Sequence, residues 1–368
     1  MKISNVAIVL LAGLSFRGGA LNGQTLNNLK VDLPKDSPVG LLAYDPSGSM
    51  ATTRGGAYIV DVRAQLSLRN SSQRRIRGIS FAIYAPEVGG KGSVSVPSLN
   101  VAPGETFTVR VENHLMRPLA TSSGGLNIEV KLDGVFFDDL GFFGPDTLHL
   151  QQSMVRWELE ARRDRKYFKS VLETAGTGGL RKEMLAILAQ QGDRRSPGVQ
   201  MVRGRATNVE AERELQFAFV ATPDSPIEAL DGAAQISDSS ARAPRFSVRN
   251  RSNRPVEHIE IGWIVQDQQG REFFAASLPA DLKLAPNQTG EIRGDAALQF
   301  QQPVAIHSMR GYVSSVEFAG GGQWIPSRAV LDSDRLRGIV PPSSEELRLL
   351  QIYNRKGLDA LIEELKKF

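Results

Sequence analysis

The chain has 368 residues, 41% of them hydrophobic and 23% charged, with a formal net charge of +4 and no cysteine. That length carries two ordinary domains, each with its own core. The missing cysteine excludes disulfides, thiolate nucleophiles and Cys-ligated zinc or iron–sulfur centres.

At the N-terminus, Lys2 precedes an apolar run from Val6 to Phe16, and Gly18, Gly19 and Ala20 follow. A positive residue, a short apolar stretch and small residues make a secretory signal over 1–20, too short to span a bilayer. A buried first strand is the alternative. Arg17, directly after the apolar run, leaves the cleavage point open. Cleavage after Ala20 removes Lys2 and Arg17 and no acid, taking the formal charge from +4 to +2. Nucleic acid is then not an expected partner. No later run approaches membrane-spanning length, so no transmembrane segment is expected in the mature chain. Export without disulfides points to a secreted, periplasmic or extracellular protein.

Over 25–150 the pattern is β. Val60, Val62, Ala64, Leu66 and Leu68 alternate with Asp61, Arg63, Gln65, Ser67 and Arg69. A two-residue period with one apolar face is a half-buried strand. Ile79, Phe81 and Ile83 repeat it, as do Phe107, Val109 and Val111, and then Ile128, Val130 and Leu132. Asn70-Ser71-Ser72, Pro103-Gly104 and Leu132-Asp133-Gly134 read as the turns between them. Near the end, Asp133, Asp138, Asp139 and Asp146 gather. Loop carboxylates are calcium ligands; a solvated turn is the alternative reading.

Over 151–200 the composition changes. Met154 to Thr174 is rich in helix formers, Gly176, Gly178 and Gly179 interrupt, and Leu180, Met184, Leu185, Ile187 and Leu188 mark a second short helix ended by Gly192. This predicts a helical hairpin linker. Arg156, Arg162, Arg163, Arg165, Lys166, Lys169, Arg181 and Lys182 make it basic, with Trp157, Tyr167 and Phe168 interleaved. Two readings stand: an anionic partner, or a solvated helix with internal pairs such as Glu158 with Arg162. Gly176-Thr177-Gly178-Gly179 lacks the spacing of a phosphate-binding loop.

Over 203–335 the first β pattern recurs. Leu68-Arg69-Asn70 matches Val248-Arg249-Asn250 at an offset of 180, and Ser72, Ile76, Ile79 and Phe81 match Ser252, Val256, Ile259 and Ile261. Trp263 and Val265 continue the inward row. Val101-Ala102-Pro103-Gly104 faces Leu284-Ala285-Pro286-Asn287, and Val135, Phe137, Phe143 and Pro145 face Val316, Phe318, Trp324 and Pro326. Ordered blocks like these indicate duplication of a module of about 110 residues. Gly320-Gly321-Gly322 is a further turn. Over 343–367, Ser343 and Glu346 form a capping box. Leu347, Leu350, Leu358, Leu361, Ile362 and Leu365 then give a C-terminal helical tail an apolar stripe, broken near Gly357. Docking on its own protein is the first reading and a dimer or partner contact the second.

The order strand, Asn-x-Ser turn, Ile-x-Ile-x-(Trp/Tyr) strand and Leu-x-Pro-(Gly/Asn) turn resembles immunoglobulin- or fibronectin-like modules of bacterial surface and secreted proteins. The resemblance implies binding or spacing roles and brings no catalytic residues. The expected fold is mainly β: two tandem antiparallel β-sandwich (Ig-like) domains joined by a helical hairpin, with a C-terminal helix.

Chemistry is scarce. Gly-x-Ser-x-Gly, Ser-x-x-Lys and His-Glu-x-x-His are all missing. The four histidines, His114, His149, His258 and His307, fall in separate segments. Asn70-Ser71-Ser72, Asn250-Arg251-Ser252 and Asn287-Gln288-Thr289 are formal glycosylation sequons. The first two occupy the same turn, where Asn closes the backbone as an Asx-turn. No catalytic, cofactor-binding or metal residue is nominated. The expected function is an exported, non-enzymatic protein with a binding or spacer role, its partner a protein or polysaccharide of the cell envelope. The alternative is a hydrolase-class enzyme, or an enzyme subunit, with its site at the interdomain cleft. Titratable side chains from both halves meeting in a deep cleft would mark the latter.

Overall fold

The computed structural model describes residues 24–25, 29–54, 57–85, 90–118, 127–193, 198–203, 213–237, 240–294, 296–301 and 303–368. The expected signal over 1–20 lies outside them. With 49% strand and 23% helix the chain is mainly β, in several sheets.

The alternating row from Val60 to Leu68 is buried at every apolar position. It lies on the fifth N-terminal strand among the described residues: β1 (Gln24–Thr25), β2 (Leu29–Asp32), β3 (Val39–Asp45), β4 (Met50–Arg54), β5 (Ala57–Asn70), β6 (Ile76–Ala85), β7 (Gly90–Val96), β8 (Thr106–Pro118), β9 (Ile128–Phe137) and β10 (Phe142–Phe143). One sheet pairs β5 with β8 along one edge and with β3 and β4 along the other, and β1 adds to β4. The other runs β10-β9-β6-β7, with β2 parallel to β9. Their inner faces share one apolar core, its buried residues drawn from Leu29 to Phe137.

The C-terminal strands are β11 (Val199–Arg203), β12 (Arg213–Phe219), β13 (Ile227–Ile236), β14 (Ser240–Asn250), β15 (Val256–Asp267), β16 (Glu272–Leu284), β17 (Thr289–Arg293), β18 (Ala296–Phe300), β19 (Ile306–Phe318) and β20 (Gln323–Trp324). A separate core forms here, its buried residues drawn from Phe217 to Phe318 around Trp263. β12 pairs antiparallel with β13 and, farther along, parallel with β19, so it connects the two layers. The repeat shows in register: Phe143 lies opposite Val135 as Trp324 lies opposite Val316.

The matched turns are built from the same hydrogen bonds. Asn70 is buried; its amide donates to the carbonyls of Arg74 and Val101, and its Oδ1 accepts from the Ser72 amide and hydroxyl. Asn250 does the same with Arg254, Leu284 and Ser252. Both sequons are therefore Asx-turns, with the amide nitrogen spent inside. Arg74 stacks on Phe137 as Arg254 stacks on Phe318.

One expected turn is absent. β9 continues through Leu132-Asp133-Gly134, with a shift in its pairing to β6 at Asp133. Asp133 is buried and accepts from the Thr147 amide and hydroxyl and the Leu148 amide. Gly134 leaves room for the Phe142 ring, whose Cζ would lie 2.2 Å from an added Cβ. The Asp-Gly pair serves packing here, not reversal.

Among the described residues there are also three helical elements: α1 (Gln151–Asp193), α2 (Arg328–Leu331) and α3 (Ser344–Lys366). Within α1, Gly176 is non-helical (φ 66, ψ −168). The Tyr167 hydroxyl donates to Glu183 at 2.8 Å, two groups that a straight helix would hold about 24 Å apart. Gly357 does the same within α3 (φ 86, ψ −178), where Arg348 meets Glu364 at 2.5 Å. A third core joins Phe168, Leu180, Met184 and Ile187 to Leu349, Leu350, Leu361 and Leu365. Leu185 (51% exposed) and Leu347 (41%) lie outside it, while the other members of the two expected stripes pack in this core or against it. Phe168, Gly176, Leu180 and Met184 precede Leu349, Gly357, Leu361 and Leu365 by 181 positions each. The repeat thus runs through the helices, and its unit is longer than the β strands alone.

Candidate functional site

The first arm of α1 carries two charged faces. Arg156, Glu160 and Arg163, spaced four and three apart, share one face with Trp157; Glu158, Arg162, Arg165 and Lys169 share another. The first looks toward the outer face of β15, β16 and β19. Between them, closed by the segment from Pro326 to Ser344, is a cavity of about 340 Å³.

Arg156 reaches from α1 to Glu260 on β15, an ion pair at the cavity wall. Glu260 also accepts from the Ser315 hydroxyl at 3.4 Å. Arg163 is turned to Asp164, which is fully buried, at 2.8 and 3.1 Å, and to the Pro326 carbonyl. The Ser343 hydroxyl donates to Asp164 and accepts from the Glu346 amide, capping α3. The Glu346 carboxylate pairs with Arg328 at 2.7 Å.

Against these satisfied groups stand two that are not. Glu160 and Tyr312 both line the cavity, and neither has a hydrogen-bond partner among the described residues. Burial pushes the Glu160 carboxyl above the usual carboxylate range; Arg163 and Arg156 oppose the shift and Asp164 adds to it. Burial, reinforced by Glu160, likewise raises the Tyr312 phenol. Ser277 and the half-buried Trp157 complete the wall. The arrangement can offer the Glu160 carboxyl, hydroxyls from Tyr312 and Ser277, and the indole of Trp157.

The residues singled out by sequence lie elsewhere. His114 pairs with Asp61 at 2.7 Å and His258 with Asp281 at 2.8 Å, while His149 and His307 are exposed and apart. Asp139 binds Arg74 and the Gly141 amide, and Asp146 accepts from the Leu150 and Gln151 amides where α1 begins. Asp133 is spent on Thr147 and Leu148, and Asp138 lines a different cavity. Among the described residues no three His, Asp or Glu side chains are placed to hold a metal ion, and no helix is long and apolar enough to cross a membrane.

Basic residues read as one patch are divided by the helix. Arg156 and Arg163 face this cavity; Arg162, Arg165, Lys166 and Lys169 face another. The available signal was the helical spacing of Arg156, Glu160 and Arg163. No spacing signal reaches from Glu160 to Tyr312, which the strands bring there from far along the chain.

No protein-family model matches the chain, and no curated protein matches it either. Among solved structures, it overlaps a β-glucosidase from Kluyveromyces marxianus with 7% identity and a TM-score of 0.17, covering 74% of this chain and 45% of that one. The transglutaminase of red sea bream overlaps with 10% identity and a TM-score of 0.13, covering 82% of this chain and 30% of that one. The chain spans less than half the length of either enzyme. Superpositions this poor do not amount to a shared fold, so the chain is assigned to no family.

Proposed function

We propose that this is an exported, non-enzymatic binding protein of the cell envelope or its surroundings. In it, two tandem Ig-like β-sandwich modules, over 25–150 and 203–335, are set by a helical hairpin over 151–200 and the C-terminal helix into one body. The cavity beneath Trp157 receives a small hydroxyl-rich ligand, such as the end of a polysaccharide. The observation that carries this is the pairing of an aromatic face with unspent hydrogen-bonding groups on Glu160 and Tyr312. A sugar presents apolar C–H faces to an indole and hydroxyls to such groups. Separate β cores joined by a third, helical one support a rigid body over a flexible spacer.

The test is a glycan array probed with the wild-type chain and Trp157→Ala. Wild type retains at least one glycan, and Trp157→Ala weakens it by about tenfold or more. Binding to none, or equal binding by both, overturns the reading. N-terminal sequencing of the mature protein from its own cell checks export, with Leu21 expected first.

A second reading rests on Glu160 alone. A carboxyl set in a cavity whose burial raises its pKa is suited to act as general acid in glycoside hydrolysis. That chemistry also needs a second carboxylate at the reacting centre. The nearest wall acid, Glu260, is tied to Arg156. Turnover of the bound glycan by wild type, lost in Glu160→Gln with binding intact, decides for the enzyme.

A further inference from the structure

The opposite face of α1 bounds a second and larger cavity, about 640 Å³, between the helix, the first β core and the ring of Phe368. Arg77, Arg162, Arg165, Lys166 and Lys169 contribute five cations to its wall, and Asp138, Glu158 and Glu173 three carboxylates. The buried Glu158 sits at the centre. It accepts from Arg162 Nε and Arg165 Nη2, both at 2.9 Å, and lies 3.7 Å from Arg77 Nε. One carboxylate thus serves three guanidinium groups. Arg165 is relieved by buried Glu345 at 3.3 Å, but Glu345 also serves Arg348 at 2.8 Å.

The remaining positive charge is not discharged. Lys166 and Lys169 make no ion pair among the described residues. Arg77 Nε is buried with no hydrogen-bond partner. Burial, with Arg165 and Arg75 adding to it and Glu158 opposing, draws the Arg77 guanidinium below its ordinary pKa. The Phe368 ring lies 4.1 Å from the Arg165 guanidinium and 4.7 Å from that of Arg77, fixing their planes. Buried donors held in place by stacking, beside the ammonium groups of Lys166 and Lys169, are the parts of an oxyanion site.

We propose that this cavity binds a multiply charged tetrahedral oxyanion, a phosphate or sulfate, carried as an ester on a small organic group. Arg162, Lys166 and Lys169 are spaced four and three apart, so they line one stripe of the helix and meet the anion together. The volume exceeds what a bare ion needs and leaves room for the organic part. This site is separate from the cavity beneath Trp157, and neither proposal needs the other.

Calorimetric titration of the full chain at constant ionic strength tests it, with phenyl phosphate and inorganic phosphate as separate probes and acetate as competitor. Phenyl phosphate is expected to bind saturably at one site, more tightly than inorganic phosphate, and acetate is expected not to displace it. Lys166→Ala/Lys169→Ala, in which neither residue is part of a core, should weaken binding by about tenfold or more. Arg181→Ala/Lys182→Ala, with the same change in net charge, should leave it unchanged. Several results overturn the assignment: no saturable binding of either phosphate, tighter binding of the inorganic ion, displacement by acetate, or equal losses in the two double variants.

Discussion

At the scale of single residues, buried polar groups decide more than exposed ones. Asn70 and Asn250 each satisfy buried carbonyls and the amide of a tight turn. Removing such a hub strands its partners, a penalty larger than the net worth of the bonds themselves. Asn70→Ala and Asn250→Ala are each expected to lose about 2–4 kcal/mol, read from urea midpoints. They belong to separate cores, so the double variant should lose the sum. Glu160 makes a pH-dependent prediction. Burial holds its pKa in the folded protein above that of an ordinary glutamate. Below about pH 4 both folded and unfolded chains hold the proton, and its stabilising effect on the fold is whole. As pH rises the unfolded chain ionises first, and stability falls by up to about 1.4 kcal/mol per pH unit until the folded carboxyl ionises too. Glu160→Gln removes this loss. Thermal melts of wild type and variant should coincide near pH 4 and separate toward neutrality, the variant melting higher. Parallel curves would mean that Glu160 is ionised in the folded protein like any surface carboxylate.

At the scale of elements, two glycines set the helical layer. Gly176 and Gly357 combine positive φ with ψ near 180°, a region open in practice only to glycine. Nothing lies within 4 Å of a Cβ added to either. Gly176→Ala and Gly357→Ala should therefore each cost about 1–3 kcal/mol from backbone strain alone. Chemical denaturation measures it, and an unchanged midpoint would show that the break in the helix does not need this conformation. Strands were legible beforehand because alternation of Val, Ile, Leu and Phe has one reading when the other face is Arg, Gln and Ser. The Asx-turns were legible because Asn and Ser at fixed spacing have few other uses. Asp133-Gly134 misled because the same dipeptide that bends a chain also lets a ring cross a strand. The helical stripes misled at one residue each, Leu185 and Leu347, since Leu347, Leu349 and Leu350 all look apolar and only packing chooses among them. The charged helix misled most. Glu158, Asp164, Glu345 and Glu346 are buried, whereas acids and bases at helical spacing ordinarily face water.

At the scale of the whole molecule, those buried charges join the two halves. Arg165 binds Glu158 on its own helix and Glu345 on α3, and Arg328 joins Asp164 to Glu346. Partners at matched positions along the repeat meet across one interface, as they would in a symmetric dimer. The equivalence of Phe168 with Leu349, and of Met184 with Leu365, carries no signature but apolarity. The reach of the repeat into the helices emerges only from the shared core. Neither half closes that core alone. A chain divided between Asp193 and Gly198 would leave Phe168, Leu180 and Met184 uncovered on one fragment and Leu349, Leu361 and Leu365 uncovered on the other. Co-expressed, the two fragments should purify together as a one-to-one complex. Glu345→Lys should then weaken that complex by about 3–5 kcal/mol, because it sets a cation against Arg165 and Arg348 in a buried site. Sedimentation of the mixed fragments reads the outcome directly. Two independent monomers with undiminished helical signal would mean that the contact between α1 and α3 does not hold the halves together.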